Sequence, residues 1–192
     1  MSPVVTERSR TLFVDARPGP LELEPTETAV IVVDMQNDFG AEGGMLARAG
    51  IPVAGIQAAV EPTARVLAAT RQAGMKIVYL KMQFEPDLSN AGGPEAPNRV
   101  RHLAIGVGQR VEAPDGTESR VLIRDTWNTE IVGALAPEAG DIVVPKHRFS
   151  GFFETDLDAI LKEHGIDTLV FTGCGTRWIV SMSSVQTAKS RS

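Results

Sequence analysis

Thr28-Ala29-Val30-Ile31-Val32-Val33-Asp34 is an unbroken apolar run of strand length, rich in β-branched residues and ending on a carboxylate. A run without polar alternation suits a parallel strand covered on both faces. Three segments repeat the pattern further along the chain. They are Lys76-Ile-Val-Tyr-Leu-Lys-Met82, Asp141-Ile-Val-Val-Pro145 leading to Lys146, and Thr168-Leu-Val-Phe-Thr172 running into Gly173.

Helical patterns fill the gaps between these strands. Val60, Ala64, Leu67, Ala68 and Arg71 recur at helical spacing, which predicts a helix from Ile56 or Pro62 to Ala73, with Gly74 at its C-terminal cap. Pro62 either opens that helix or kinks it. Thr155 caps a second helix, Asp156–His164, which buries Leu157, Ile160 and Leu161 and closes at Gly165. A short helix is expected around Thr129 to Leu135. The stretch 83–125, with Ala91-Gly-Gly-Pro-Glu-Ala-Pro-Asn98 at its centre, reads as long loops with little regular structure.

Strands alternating with helices imply right-handed crossovers and an α/β fold: a parallel sheet with helices on both faces. Ligands of such sheets bind beyond the carboxyl ends of the strands. Asp34, Lys146 and the Gly173–Thr176 turn all fall there.

Composition narrows the function classes. The 192 residues fit one domain with a full core. It divides into a polar N-terminal arm (1–20, punctuated by Pro18 and Pro20), a domain over 21–180 and a Ser-rich tail over 181–192. A net charge of −5 with scattered Lys and Arg argues against nucleic acid as a partner. No apolar run approaches the ~20 residues of a membrane span, and the start has no apolar signal core. The single cysteine, Cys174, fits a reducing compartment, so a cytoplasmic location is expected. The three histidines, His102, His147 and His164, are widely spaced and show no metal pairing such as His-x-x-x-His.

On particular blocks the chain resembles the isochorismatase-like cysteine hydrolases. These are Ile31-Val-Val-Asp-Met-Gln-Asn-Asp-Phe39, Ala91-Gly-Gly-Pro94, Asp125-Thr-Trp127, Val144-Pro-Lys-His-Arg-Phe-Ser-Gly-Phe-Phe153 with Thr155 and Leu157, and Val170-Phe-Thr-Gly173 with Thr176. Within the family it is most similar to members that hydrolyse ureidoacrylate-like acids in pyrimidine degradation. The resemblance implies a three-layer α/β/α fold and a Cys-Asp-Lys triad that cleaves a small amide or ureido substrate through a thioester. Asp34 would take the thiol proton and Lys146 would favour the thiolate. Gln36, Asp38, Phe39, Trp127, Phe152, Gly175 and Thr176 are the expected substrate-binding positions. No cofactor or metal is implied, because the strand after Lys76 continues Lys81-Met-Gln-Phe-Glu85, without the Asp-x-His motif of metal-dependent relatives. Association into a homo-oligomer is a further expectation.

One position departs from that pattern. The family cysteine follows Gly-x-x-Thr-x-x-Cys; Gly173 and Thr176 match, and Ile179 stands in the cysteine position. A thiolate at a helix N-terminus beside an ammonium is the nucleophile this chemistry needs, and isoleucine supplies none. Cys174 matches a second, non-nucleophilic cysteine of some members and is a surrogate at most. After Thr176 the pattern gives way to Ser181-Met-Ser-Ser-Val-Gln-Thr-Ala-Lys-Ser-Arg-Ser192, so the family's last strands and helices are expected to be missing and the Thr168–Thr172 strand to present an apolar edge. A single event, a frameshift or some other replacement of the reading frame near Thr176 or Arg177, is the expected origin of both departures. The expectation is an amidohydrolase impaired in hydrolysis, with a non-catalytic ligand-binding paralogue or a truncated fragment as the alternatives.

Overall fold

A computed structural model describes residues 11–174. In chain order the strands and α-helices are β1 (Leu12–Val14), β2 (Leu21–Leu23), β3 (Thr28–Val33), α1 (Asn37–Gly40), α2 (Met45–Arg48), α3 (Ala54–Gln72), β4 (Lys76–Met82), α4 (Pro97–Ala104), β5 (Arg110–Glu112), β6 (Glu118–Arg120), β7 (Ile142–Lys146), α5 (Leu157–Glu163) and β8 (Thr168–Gly173). The four apolar runs form one parallel sheet in the order β7-β4-β3-β8. All six residues of β3 are buried, as a central strand between two helical layers requires.

The pleat sorts the side chains of β3 and β4 onto the two faces. Ala29, Ile31, Val33, Val78 and Leu80 pack with Val144 against Leu157 and Leu161 of α5. Val30, Val32, Ile77 and Tyr79 pack against Leu67, Val60 and Ala64 of α3. The result is the three-layer α/β/α arrangement expected. A third cluster, Phe39, Met45, Met82, Phe84, Val107, Val121, Leu122 and Ile123, closes the region beyond the carboxyl ends of the strands.

Helix α3 begins before Pro62 and continues past it, so Pro62 does not open the helix. Pro62 and Ala58 are both exposed, so the carbonyl that loses its helical partner faces water. Thr155 accepts a hydrogen bond from the Leu157 N–H at 3.3 Å and caps α5 as expected. Around 129–135 there are two 3-10 turns, Trp127–Thr129 and Gly133–Leu135, in place of one helix. The residues between them are pulled extended: Asn37 N–H donates to Glu130 O, and Val132 N–H to Met35 O, each at 2.9 Å.

The stretch 83–125 is more ordered than its composition suggests. It holds α4, a 3-10 turn at Ser89–Ala91 and the β5–β6 hairpin. Pro97 starts α4 at a position where a missing N–H costs nothing. The hairpin turns through Pro114-Asp115-Gly116-Thr117, where Asp115 Oδ1 accepts the Thr117 N–H at 3.0 Å and Gly116 takes φ +83°. The second half of the polar arm likewise forms structure: β1 pairs antiparallel with β2, while Phe13 stays 74% exposed. At the other end, β8 is an edge of the sheet among the described residues and is half-buried along its length.

Candidate functional site

Asp34 and Lys146 meet beyond the carboxyl ends of the strands. Their strands are not neighbours; β4 lies between them, so the gap is two strand spacings, about 9.6 Å. Two features close it. Asp34 leaves β3 with φ +52°, which ends the strand and turns the residue aside. Lys146, in register with Met82 at the end of β4, is only 2% exposed. Its Nζ lies 3.0 Å from Asp34 Oδ1 and 3.2 Å from Oδ2, and it also donates to Arg148 O at 3.3 Å. No donor is aligned on Oδ1 among the described residues, so that oxygen keeps a free lone pair. Burial pushes the Asp34 carboxyl up from the ordinary carboxylate range, and Lys146 pulls against that shift. A carboxylate raised in this way accepts a proton more readily than one in water.

The third arm of the site follows β8. Gly173 takes φ +113°, and a Cβ there would stand 2.5 Å from Val33 O. Only glycine permits the chain to pass β3 so closely. Cys174 comes next; its N–H donates to Val33 O at 2.9 Å, and its half-buried side chain packs between the apolar clusters. Burial first, then the Asp34 charge, push its thiol up to about 12, against the pull of Lys146. At neutral pH only roughly one in 10⁵ such thiols is ionised. Gly175, Thr176 and Ile179 lie outside the described residues.

Three of the expected substrate-binding residues, Gln36, Asp38 and Phe39, are buried. Gln36 is fully buried: its Nε2 donates to Met82 O at 2.8 Å and Thr129 O at 3.0 Å, and its Oε1 accepts the Met82 N–H at 2.7 Å. Asp38, equally buried, accepts from Met45 N–H at 2.8 Å, Leu122 N–H at 2.6 Å and the Asn128 amide. Burial raises Asp38 to about 6 despite those three donors. Phe39 belongs to the cluster above the sheet. With their polar atoms committed to the protein, Gln36 and Asp38 fix the loop after Asp34. Trp127 is half-buried, and Phe152 is 45% exposed on the loop after β7.

Other residues join the site from α4 and from the loop after β7. Asn98 and His102 lie one helical turn apart on α4, 4% and 6% exposed, and Asn98 Oδ1 and His102 Nδ1 have no hydrogen-bond partner among the described residues. His102 sits between the rings of Phe84 and Phe149. Burial and the Lys146 charge hold it down to about 4, so it is neutral at physiological pH. Their i, i+4 spacing was the one available signal, hidden because this segment reads as loop. A cleft of about 280 Å³ runs along β7, lined by Gln83, Glu85, Asn90, Lys146, His147 and Glu154 among others. Among the described residues no group of three His, Cys, Asp or Glu side chains could hold a metal.

The isochorismatase domain matches residues 28–190, and this chain, with its parallel α/β/α sheet, belongs to that family. The match continues past Thr176, where the sequence pattern alone breaks off. The chain is 41% identical to the ureidoacrylate amidohydrolase RutB of Rhizobium rhizogenes, over 92% of this chain and 71% of that one. It is 40% identical to the RutB of Agrobacterium fabrum, over 90% and 74%. Among solved structures it resembles a cysteine hydrolase from Pseudomonas syringae pv. phaseolicola (33% identity, TM-score 0.61, covering 78% of this chain and 60% of that one). It also resembles N-carbamoylsarcosine amidase from Thermoplasma acidophilum (30% identity, TM-score 0.52, 76% and 66%). The chain thus spans about three fifths of the length of the Pseudomonas hydrolase.

Proposed function

We propose that this is a cytoplasmic amidohydrolase scaffold whose site takes a small ureido or carbamoyl acid of the ureidoacrylate type. The observation that carries the reading is the ion pair of buried Lys146 with half-buried Asp34 beyond the strand ends, in a chain about 40% identical to amidohydrolases named for that substrate. No described helix is long and apolar enough to cross a membrane.

In the chemistry the pair suits, Asp34 takes the proton of a thiol and Lys146 stabilises the thiolate. The thiolate adds to the substrate carbonyl, and backbone N–H groups of the nearby turn hold the oxyanion. Collapse breaks the C–N bond, and the proton on Asp34 leaves with the nitrogen. Water then cleaves the thioester, giving its proton to Asp34 before the thiol is restored. In this sequence the first step lacks its thiol, because Ile179 stands at the position that follows Gly173-x-x-Thr176. Cys174 does not replace it, with its proton held up to about 12. Binding without turnover is therefore the second half of the proposal, and the raised Cys174 thiol favours it over a rerouted reaction.

Titration calorimetry of the full chain with ureidoacrylate tests the binding half: saturable heat supports the reading, and its absence sinks it. The frame-shift origin of Ile179 is tested by the coding DNA. A cysteine-bearing continuation in another frame near codon 177 is expected, and its absence removes that origin.

A further inference from the structure

Two guanidinium groups that bond to the loop 88–92 have no carboxylate partner among the described residues. Arg148 donates from Nη1 to Asn90 O at 2.6 Å and His147 O at 2.9 Å, and its guanidinium lies over the Phe153 ring, 5.6 Å from the centroid. Arg99, on α4, donates from Nη1 to Gly92 O at 3.2 Å and Leu88 O at 3.5 Å. Both side chains are half-buried, and both grip the same loop, 88–92. Gly92 makes the convergence possible: it has φ +91°, and a Cβ there would stand 3.2 Å from Arg148 Nη2. The nearby acids are already taken, Glu85 by Arg124 at 2.8 Å and Glu154 by His147 at 2.9 Å.

The cluster adjoins the reacting pair. Lys146 Nζ donates to Arg148 O, so the guanidinium is within one side chain of the ammonium. His147 O accepts from both Arg148 Nη1 and Asn98 Nδ2, the latter at 3.0 Å. Two polar groups therefore converge on one carbonyl, and Asn98 Oδ1, buried beside them, has no donor of its own among the described residues.

We propose that Arg148, with Arg99 and Asn98 beside it, forms the subsite that selects an acid substrate. Arg148 and Arg99 bind the carboxylate through their remaining N–H groups, and Asn98 Oδ1 accepts a ureido N–H. This rests on the ureido-acid reading above. Charge supplies the reason: Asp34 and Lys146 neutralise each other, so the pair itself offers nothing to a substrate anion, whereas a planar guanidinium fork matches a carboxylate.

The test is calorimetry of the full chain with ureidoacrylate and with its uncharged primary amide. The wild type is expected to bind the acid at least ~10-fold more tightly than the amide. Arg148→Met is expected to erase that preference while leaving the amide affinity within about two-fold, and Arg148→Lys to restore part of it. If Arg148→Met fails to fold, Arg99→Met is read in its place and is expected to narrow the preference. Equal binding of acid and amide by the wild type overturns the subsite and leaves the ureido reading standing. A parallel loss of both ligands in a folded variant also overturns it, because Arg148 would then only brace the loop. If the wild type binds neither ligand, the ureido reading falls and the subsite with it.

Discussion

Lys146 reaches across the whole width of β4 to place its ammonium 3.0 Å from Asp34. That side chain is only 2% exposed, and a charge so placed is tolerable only beside a partner. Removing one member of such a pair leaves the other buried and uncompensated. Lys146→Met is expected to cost about 3 kcal/mol at pH 8, measured by urea unfolding. The loss should shrink as pH is lowered, because the orphaned Asp34, already pushed up by burial, takes a proton more readily than an ordinary carboxylate. A loss that does not depend on pH would mean that the lysine stem, not its charge, holds the site.

Asp38 and His102 oppose each other in their pH dependence. Asp38 is raised to about 6, so its contribution to stability is fully present below the unfolded carboxylate range and is lost as pH rises from about 4 to 6. His102 is lowered to about 4, so its contribution is fully present above about 6.5 and is lost as pH falls towards 4. Each is worth on the order of 3 kcal/mol, and between pH 4 and 6 they offset. In His102→Gln, unfolding free energy should fall with rising pH through that window; in Asp38→Asn it should rise. Superimposable pH profiles for the two variants would contradict this.

Gly173 rests on Val33 with no room for a methyl group and with φ +113°. Gly173→Ala is therefore expected to cost about 3 kcal/mol or more from strain and displacement of β8. Thermal unfolding of the variant beside the wild type reads this directly, and an unchanged midpoint would show that β8 is not held this close.

Cys174 should behave as a small core residue. Its alkylation by iodoacetamide is expected to be slow at pH 7 to 9 and still climbing above pH 10, in line with a thiol held up to about 12. Cys174→Ser should shift stability by no more than about 1 kcal/mol. A rate that levels off near pH 8 would reveal an activated thiol.

What could be read from the chain before its structure depended on how local each signal is. β3 and β4 announce themselves because a strand covered on both faces must be apolar along its length, and the edge strands β7 and β8 carry the same kind of run although they are only partly covered. Asp34 and Lys146 follow, since both lie where such strands end. The pairing of Gln36 with Met82 and Thr129, and of Asp38 with Leu122 and Asn128, joins residues 46 to 93 positions apart, and no local pattern carries that. Helix α4 and the β5–β6 hairpin were hidden by the Pro and Gly residues around them, although the Pro-Asp-Gly turn at 114–116 is itself a hairpin signal. With α4 unseen, Asn98 and His102 could not be placed beside Lys146.

The most direct measurement is hydrolysis of ureidoacrylate by the purified full chain, followed by product release, alongside Cys174→Ser. A ureido-acid site with Ile179 in the nucleophile position is expected to release product no faster than buffer, with and without Cys174. Turnover well above that background, abolished by Cys174→Ser, would contradict it and make Cys174 the nucleophile.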